Sequence, residues 1–525
     1  MVPRAVDADK LDVIFSPYAS SDRPGLAVGV ALAGVPVYRR GFGLASVELP
    51  MVLTPSMRMR IGSATKQFCA LAVMLLAEER RLSADDSIRR HVPELPKWAE
   101  AITLRQLMAH TSGMRCSLDM LFFLQGATGQ PVPDDAQMHL LASCDSVNFE
   151  PDADFTYCNG GYVLLTEVVQ RVTGQRFAEV LQKRILEPVG MYDSLLRPLD
   201  TDCLPNSATL HLAKSDGSFQ KGMSGPSIGG EGGLVSTIDD MLRWLAHMSR
   251  PIVGKPETWA QMMQPSRLRS GDLTGYGLGL MRTTYRGLRL VHHSGTVFGG
   301  ACQMLKVIDH GLDIVLLTNR NGIDQIALAE AVLDASFDGL GPKPVRAKAQ
   351  AIPKGTFHAP GRLLEVQHVD GEVRVQTDGQ ALAAYQVPTQ GNDAWFRGNL
   401  ASGTVLRATG DMSRLTLIEF GCETELIRVE AEAEDDFPRL FGEFRVPSIG
   451  VLATLRPEAD LRILEFQGRY GRMKYELHDV GPGIWTCHHR HPTLPRVALL
   501  ERTQDGLAFS TFRTDRLTML RTAAS

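Results

Sequence analysis

The chain has 525 residues, 44% of them hydrophobic and 22% charged, with a formal net charge of -4. That length is too great for one compact core and implies roughly two to four domains. The slightly acidic balance excludes a general nucleic-acid binder, which needs a basic surface. No stretch reaches the roughly 18 apolar residues of a membrane span; the run from Leu26 to Val37 is broken by Gly29, Gly34 and Pro36.

Met1 to Lys10 lack the basic-then-apolar order of a secretory signal, so the cytoplasm is the expected location. The cysteines at 69, 116, 144, 158, 203, 302, 422 and 487 are scattered without a C-x-x-C pair and read as free buried thiols. Pro24 to Ala45 alternates small and apolar residues around a Gly34 turn, which predicts a β-hairpin. A helix is predicted from Ala64 to Arg81. Thr103 opens another, with Gln106 three residues on as a capping box. Further helices are expected at Gly161 to Thr173, at Phe177 to Leu186 and from Ser236 onward. Strand character returns at Gly275 to Met281, Leu288 to His292, Gly300 to Ile308 and Asp313 to Asn319, before a helix at Asp324 to Phe337. Strands at both ends with helices between them describe an α+β unit, a mostly antiparallel sheet beside a helical region, over residues 1–340.

Residues 341–354 hold three prolines and three lysines without apolar periodicity and read as a linker. Short alternating strands follow at 355–430, then an acidic stretch from Glu430 to Asp436, then more strands at 439–525. Each piece has the size of a small all-β antiparallel barrel.

Ser63-Ala64-Thr65-Lys66 fits S-x-x-K at the start of a helix. Positions three apart share a helix face, so Oγ and Nζ can meet. The helix N-terminus adds positive potential at the serine. Lysine accepts a proton at neutral pH only if its pKa falls from about 10.4 towards 7, at a cost of about 4 kcal/mol, which burial beside another cation can supply. Alone the pattern reads more readily as a helix N-cap serine with a solvated lysine. Its company changes that reading. Tyr157-Cys158-Asn159 fits Y-x-N, a phenol able to relay a proton and an amide able to bind a substrate carbonyl or Lys66. His293-Ser294-Gly295 fits H-x-G on a strand, where glycine lets a substrate backbone lie close.

With Leu104 to Gly113 and Gly232 to Met241, these motifs resemble the serine β-lactamase and penicillin-binding protein superfamily, in its class C branch. The two extra β-units, Tyr-Cys-Asn-Gly at 157–160 and Cys302-Gln303 are most similar to bacterial D-aminopeptidases. That resemblance implies a three-domain enzyme that cleaves N-terminal D-residues from short peptides, amides or esters without a metal or other cofactor. It implies Ser63 as nucleophile, Lys66 as general acid/base, Tyr157 as proton relay and Asn159 as a substrate contact. The oxyanion hole would be the N–H groups of Ser63 and Thr296. His293 stands where lactamases and DD-peptidases place lysine, and a neutral imidazole is a poorer anchor for a substrate carboxylate.

The family also places an aspartate, on a loop of the last domain, beside the substrate amine. The matching stretch Gln467 to Asp479 is one residue shorter, with Met473-Lys474 at the expected position; Glu476 or Asp479 is the expected substitute. The alternatives left open are an esterase or weak β-lactamase of the same fold, and a penicillin-binding sensor that is acylated without turnover. The expected partner is a small substrate rather than nucleic acid or membrane, with a homodimer one option for assembly. Gly225 to Gly229 matches G-x-S-x-G but sits in glycine-rich loop on both sides. Gly275 to Gly279 lacks the following helix of a phosphate loop. His488-His489-Arg490-His491 reads as solvated loop rather than a metal site.

Overall fold

The computed structural model describes residues 2–3, 6–127, 129–343, 345–348, 352–377, 380–390, 393–397, 404–408, 410–430, 437–489, 497–511 and 513–522. Its first unit is built on a six-stranded antiparallel sheet. The strands lie in the order Met281–Tyr285, Leu288–Val297, Gly300–Val307, Leu312–Thr318, Leu26–Leu32 and Val35–Phe42. The chain's beginning therefore pairs with its later strands, Leu26 opposite Thr318 and Leu32 opposite Leu312.

Alternation along these strands sorts side chains to two faces. Leu26, Val28, Val30, Ile314 and Leu316 pack with the helices Ala8–Phe15 and Gln325–Ser336. Ala27, Ala31, Val315 and Leu317 face the other way, into the larger core with the helices Lys66–Glu78, Asn159–Thr173 and Ile238–Ser249. The helix Lys66–Glu78 is buried over most of its circumference, from Lys66 to Met74 without a break, which suits a helix enclosed on all sides. Asn159–Thr173 ends on Gly174 in the left-handed region. The capping box between Thr103 and Gln106 is formed.

Two short helices, Ser117–Phe123 and Ala136–Ser143, have no counterpart in the sequence reading. The stretch from Gly275 to Leu280 is loop, and its strand begins at Met281. Gly275 and Gly279 adopt positive φ, which breaks the extended run the composition suggested.

The α+β unit is followed by two all-β antiparallel units, in keeping with the expected fold class. The first is a half-barrel, a ten-stranded sheet whose order begins at Val345–Arg346 and ends at Gln380–Ala383. Val345 pairs with Gln386, so part of the expected 341–354 linker is woven into this sheet. The second is a closed eight-stranded barrel running from Gly442–Val446 to Leu517–Arg521. Residues 431–436 of the acidic stretch lie outside the described residues.

The barrel shares its core with the first unit. Met120, Leu121, Leu124 and Leu140 pack in one cluster with Phe444, Leu464, Phe466 and Phe509. Tyr475 Oη donates to the Phe123 carbonyl at 2.7 Å, and Gln130 Nε2 donates to the Tyr470 carbonyl at 2.8 Å.

Candidate active site

Ser63 lies in a single 3₁₀ turn, Gly62–Thr65, that runs directly into the helix at Lys66. Its side chain is half-buried, whereas Lys66 is fully buried. Lys66 Nζ is 3.2 Å from Ser63 Oγ, 2.7 Å from Asn159 Oδ1 and 2.5 Å from the Glu231 carbonyl oxygen. A neutral amine has two N–H bonds and one lone pair. Asn159 and Glu231 can accept the two N–H bonds, which leaves the lone pair facing the Ser63 hydroxyl.

Burial lowers the Lys66 pKa to about 7. The Glu231 carboxylate opposes that fall and the Arg513 guanidinium reinforces it. Glu231 is itself buried, its carboxylate held by the Gly229 N–H at 2.9 Å and Gln137 Nε2 at 3.1 Å, and burial raises its pKa.

Tyr157 enters on the loop before Asn159. Its hydroxyl is buried and makes no full hydrogen bond among the described residues, although the nearby Ser63 hydroxyl counteracts part of the burial effect. Burial raises its pKa above the usual tyrosine value, so Tyr157 is a neutral phenol at pH 7, suited to give a proton rather than take one. His110 holds this loop: the Cys158 N–H donates to His110 Nδ1 at 3.1 Å, and the imidazole lies against the Tyr157 ring with centroids 4.1 Å apart.

His293 is buried on the strand Leu288–Val297. Tyr276 Oη lies 2.9 Å from Nε2 and the Ser294 carbonyl lies 2.6 Å from Nδ1. This pattern fixes the tautomer with its proton on Nδ1. Burial and the Lys66 charge lower its pKa to about 3, so the ring stays neutral. Two residues on, Gly295 meets the Ser63 turn, and the neighbouring Thr296 nitrogen lies 2.9 Å from where a Cβ on Gly62 would stand. The strand edge and the Ser63 turn are thus pressed together at the two amides expected to form an oxyanion hole.

A model of the beta-lactamase family matches residues 11–337, the stretch that carries all of these groups except Arg513. The chain belongs to the beta-lactamase family. This family member is also similar to a protein named D-aminopeptidase from Brucella melitensis biotype 1, at 28% identity over 88% of the chain and 87% of that protein. A D-aminopeptidase of Brucella anthropi is 26% identical over 88% and 86%. Among solved structures, the octameric penicillin-binding protein homologue from Pyrococcus abyssi superposes with a TM-score of 0.57 at 23% identity, covering 80% of this chain and all of that one. The D-amino acid amidase from Ochrobactrum anthropi SV3 gives 0.53 at 21%, covering 62% and 98%. These two likenesses concern the fold.

In this beta-lactamase-family chain the expected loop residues of the last barrel are placed elsewhere. Asp479 pairs with Arg462 at 2.5 Å and accepts from Trp485 Nε1 at 2.9 Å, both within the barrel. Glu476 lies on the strand Arg472–Gly481 opposite Ile463 and His488. The turn at 468–470 does dock on the first unit, the Arg469 N–H donating to Gln125 Oε1 at 2.5 Å. The residues that reach Tyr157 are different ones, Thr511 and 513–515, which bring Arg513 4.8 Å from the centre of the Tyr157 ring.

Glu231, His110 and Arg513 were not singled out from the sequence. Glu231 had a signal, a lone charge inside Gly229-Gly-Glu-Gly-Gly233. Arg513 had none. Gly225 to Gly229 is loop, as is Gly275 to Gly279. Among the described residues no cluster of three or more metal-ligating side chains occurs; Arg490 and His491 lie outside them. No described helix is long and apolar enough to cross a membrane.

Proposed function

We propose that this protein is a serine hydrolase working through an acyl-Ser63 intermediate, and that it releases N-terminal D-amino acids from short peptides, amides or esters. The observation that carries the chemistry is the buried Lys66 Nζ, 3.2 Å from Ser63 Oγ, with a pKa of about 7. At that value the amine is half free at pH 7 and is matched to its task. As Oγ attacks the substrate carbonyl, Lys66 takes the hydroxyl proton. The oxyanion forms against the amides of Ser63 and Thr296. Tyr157 then gives its phenolic proton to the leaving nitrogen and is recharged from Lys66. The C–N bond breaks and the amine departs. Water attacks the acyl-enzyme by the reverse proton path, releasing the acid and restoring the Ser63 hydroxyl. Along this path no step calls on a metal.

The D-aminopeptidase reading draws on similarity over 88% of the chain to proteins of that name. The neutral His293 supports it, since an aminopeptidase needs no cationic anchor there. An esterase or β-lactam hydrolase is the second reading, favoured by one observation: the last barrel brings Arg513, a cation, towards Tyr157, while Asp479 and Glu476 are engaged in the barrel. D- and L-aminoacyl p-nitroanilides, simple esters and a chromogenic cephalosporin, assayed with purified protein and its Ser63→Ala variant, separate these readings. Turnover restricted to free-amine D-substrates and absent from Ser63→Ala supports the first. Turnover retained by Ser63→Ala overturns the mechanism.

A further inference from the structure

We propose that Arg513, carried by the closed barrel, is a positioning residue of the Ser63 site: its guanidinium braces the Tyr157 ring and sets a fixed positive charge near Lys66, so that the last barrel completes the catalytic base. This rests on the Ser63 mechanism above.

The segment that delivers Arg513 is anchored on both sides. Thr511 Oγ1 and the Arg513 N–H both donate to Asp119 Oδ2, at 3.0 and 3.1 Å. Asn148 Nδ2 donates to the Arg513 carbonyl at 3.1 Å, and Asn148 Oδ1 accepts the Asp515 N–H at 2.9 Å. The Thr511 N–H donates to the Thr514 carbonyl at 2.8 Å. Two side chains of the first unit therefore hold the backbone on either side of one arginine. The guanidinium then lies 4.8 Å from the centre of the Tyr157 ring, and Lys66 Nζ lies 4.8 Å from the centre of the same ring. An aromatic ring attracts each cation that approaches its face.

Guanidinium does not titrate in proteins, so of the two cations only Lys66 can give up its charge. Two acidic groups face Lys66 and favour its protonated form, Glu231 from the glycine-rich loop and Cys116 before the helix Ser117–Phe123; the Cys69 thiol on its own helix is kept protonated by burial and adds no charge. His110 and His293 add no charge, since both are held neutral by burial. Tyr157 and Tyr162, whose ring centre is 5.3 Å from Nζ, are neutral phenols. Arg513 is thus the charge that offsets the acidic groups.

The test compares Arg513→Met, which keeps bulk without charge, with Arg513→Lys, which keeps charge. Arg513→Gln is a second neutral variant should methionine disturb folding, which melting curves report. Hydrolysis of an activated ester is followed from pH 5 to 10. Removing the charge should move the acid limb of kcat/KM upward by about one pH unit, lowering the rate at pH 7 by about five-fold. Arg513→Lys should return the limb to near its original place. Titration of the labelled Lys66 ε-carbon by NMR reads the same shift without turnover. If the wild type proves inactive through Ser63 but the Lys66 titration still moves, the mechanism fails and the catalytic role of Arg513 with it, while the charge coupling of Arg513 to Lys66 is upheld. An unmoved limb and an unmoved titration in the neutral variants, or a lysine variant no different from the methionine one, overturns the inference.

Discussion

Gly295 and Ile61 touch through their backbones: a Cβ on Gly295 would stand 1.8 Å from the Ile61 carbonyl oxygen and 2.9 Å from the Ser63 nitrogen. No side chain fits there, so Gly295→Ala must push the strand Leu288–Val297 away from the Ser63 turn. A misplacement of about 1 Å costs about 10²-fold in rate. The variant should lose at least that much kcat/KM on every substrate, with about 1–3 kcal/mol of stability lost to overpacking. Steady-state kinetics beside urea unfolding check both; a fully active variant would mean that the two amides do not act together.

Tyr157→Phe separates the relay from the base. A poor leaving group such as an anilide needs the phenolic proton, so its turnover should fall by about 10²–10⁴-fold. A p-nitrophenyl ester leaves without protonation and should be far less affected. Because the buried hydroxyl has no full hydrogen bond among the described residues, its removal should leave the melting temperature unchanged or slightly raised. Equal losses on both substrates would return Tyr157 to an earlier step.

The pH dependence follows from Lys66. Burial lowers its pKa from 10.5 in the unfolded chain to about 7 in the folded one. Below pH 7 the amine is charged and cannot take the Ser63 proton, so kcat/KM should rise with pH and level off above that value. For stability the unfolded state binds more protons between about 7 and 10.5, so this group's contribution rises with pH across that window. Lys66→Met should abolish both the rate rise and its share of the stability slope, read from activity and from denaturant midpoints at pH 7 and pH 9.

Removal of residues 439–525 should not leave a working first unit. Met120, Leu121, Leu124 and Leu140 would lose the barrel core that covers them. The truncated chain should aggregate or bind a hydrophobic dye, as size-exclusion chromatography and fluorescence would report. Phe466→Ala is the milder probe. It removes a fully buried ring from that shared core and should cost about 3–5 kcal/mol while leaving Ser63 and Lys66 in place.

The first unit was legible because its signals are local. Thr103 and Gln106 cap a helix with atoms three residues apart, and Ser63 and Lys66 face each other through one turn of backbone. The period of two that sorts Leu26, Val28 and Val30 from Ala27 and Ala31 is visible along seven residues. The helices Ser117–Phe123 and Ala136–Ser143 were missed because much of their apolar surface is satisfied by a barrel more than 300 residues later.

The sequence alone determined that Ser63 and Lys66 would meet and the order of the motifs around them, because helix and strand geometry turns fixed spacings into fixed proximities. It also carried the division into an α+β unit and two β-units, through the change in apolar period. Only the tertiary structure decided what surrounds Lys66. The Glu231 carbonyl sits 165 positions from Lys66, Asn159 sits 93 away, and Arg513 arrives from the other end of the chain. No periodicity encodes such meetings, and the lysine's protonation depends on all of them: in a desolvated site each nearby charge counts for far more than it would in water.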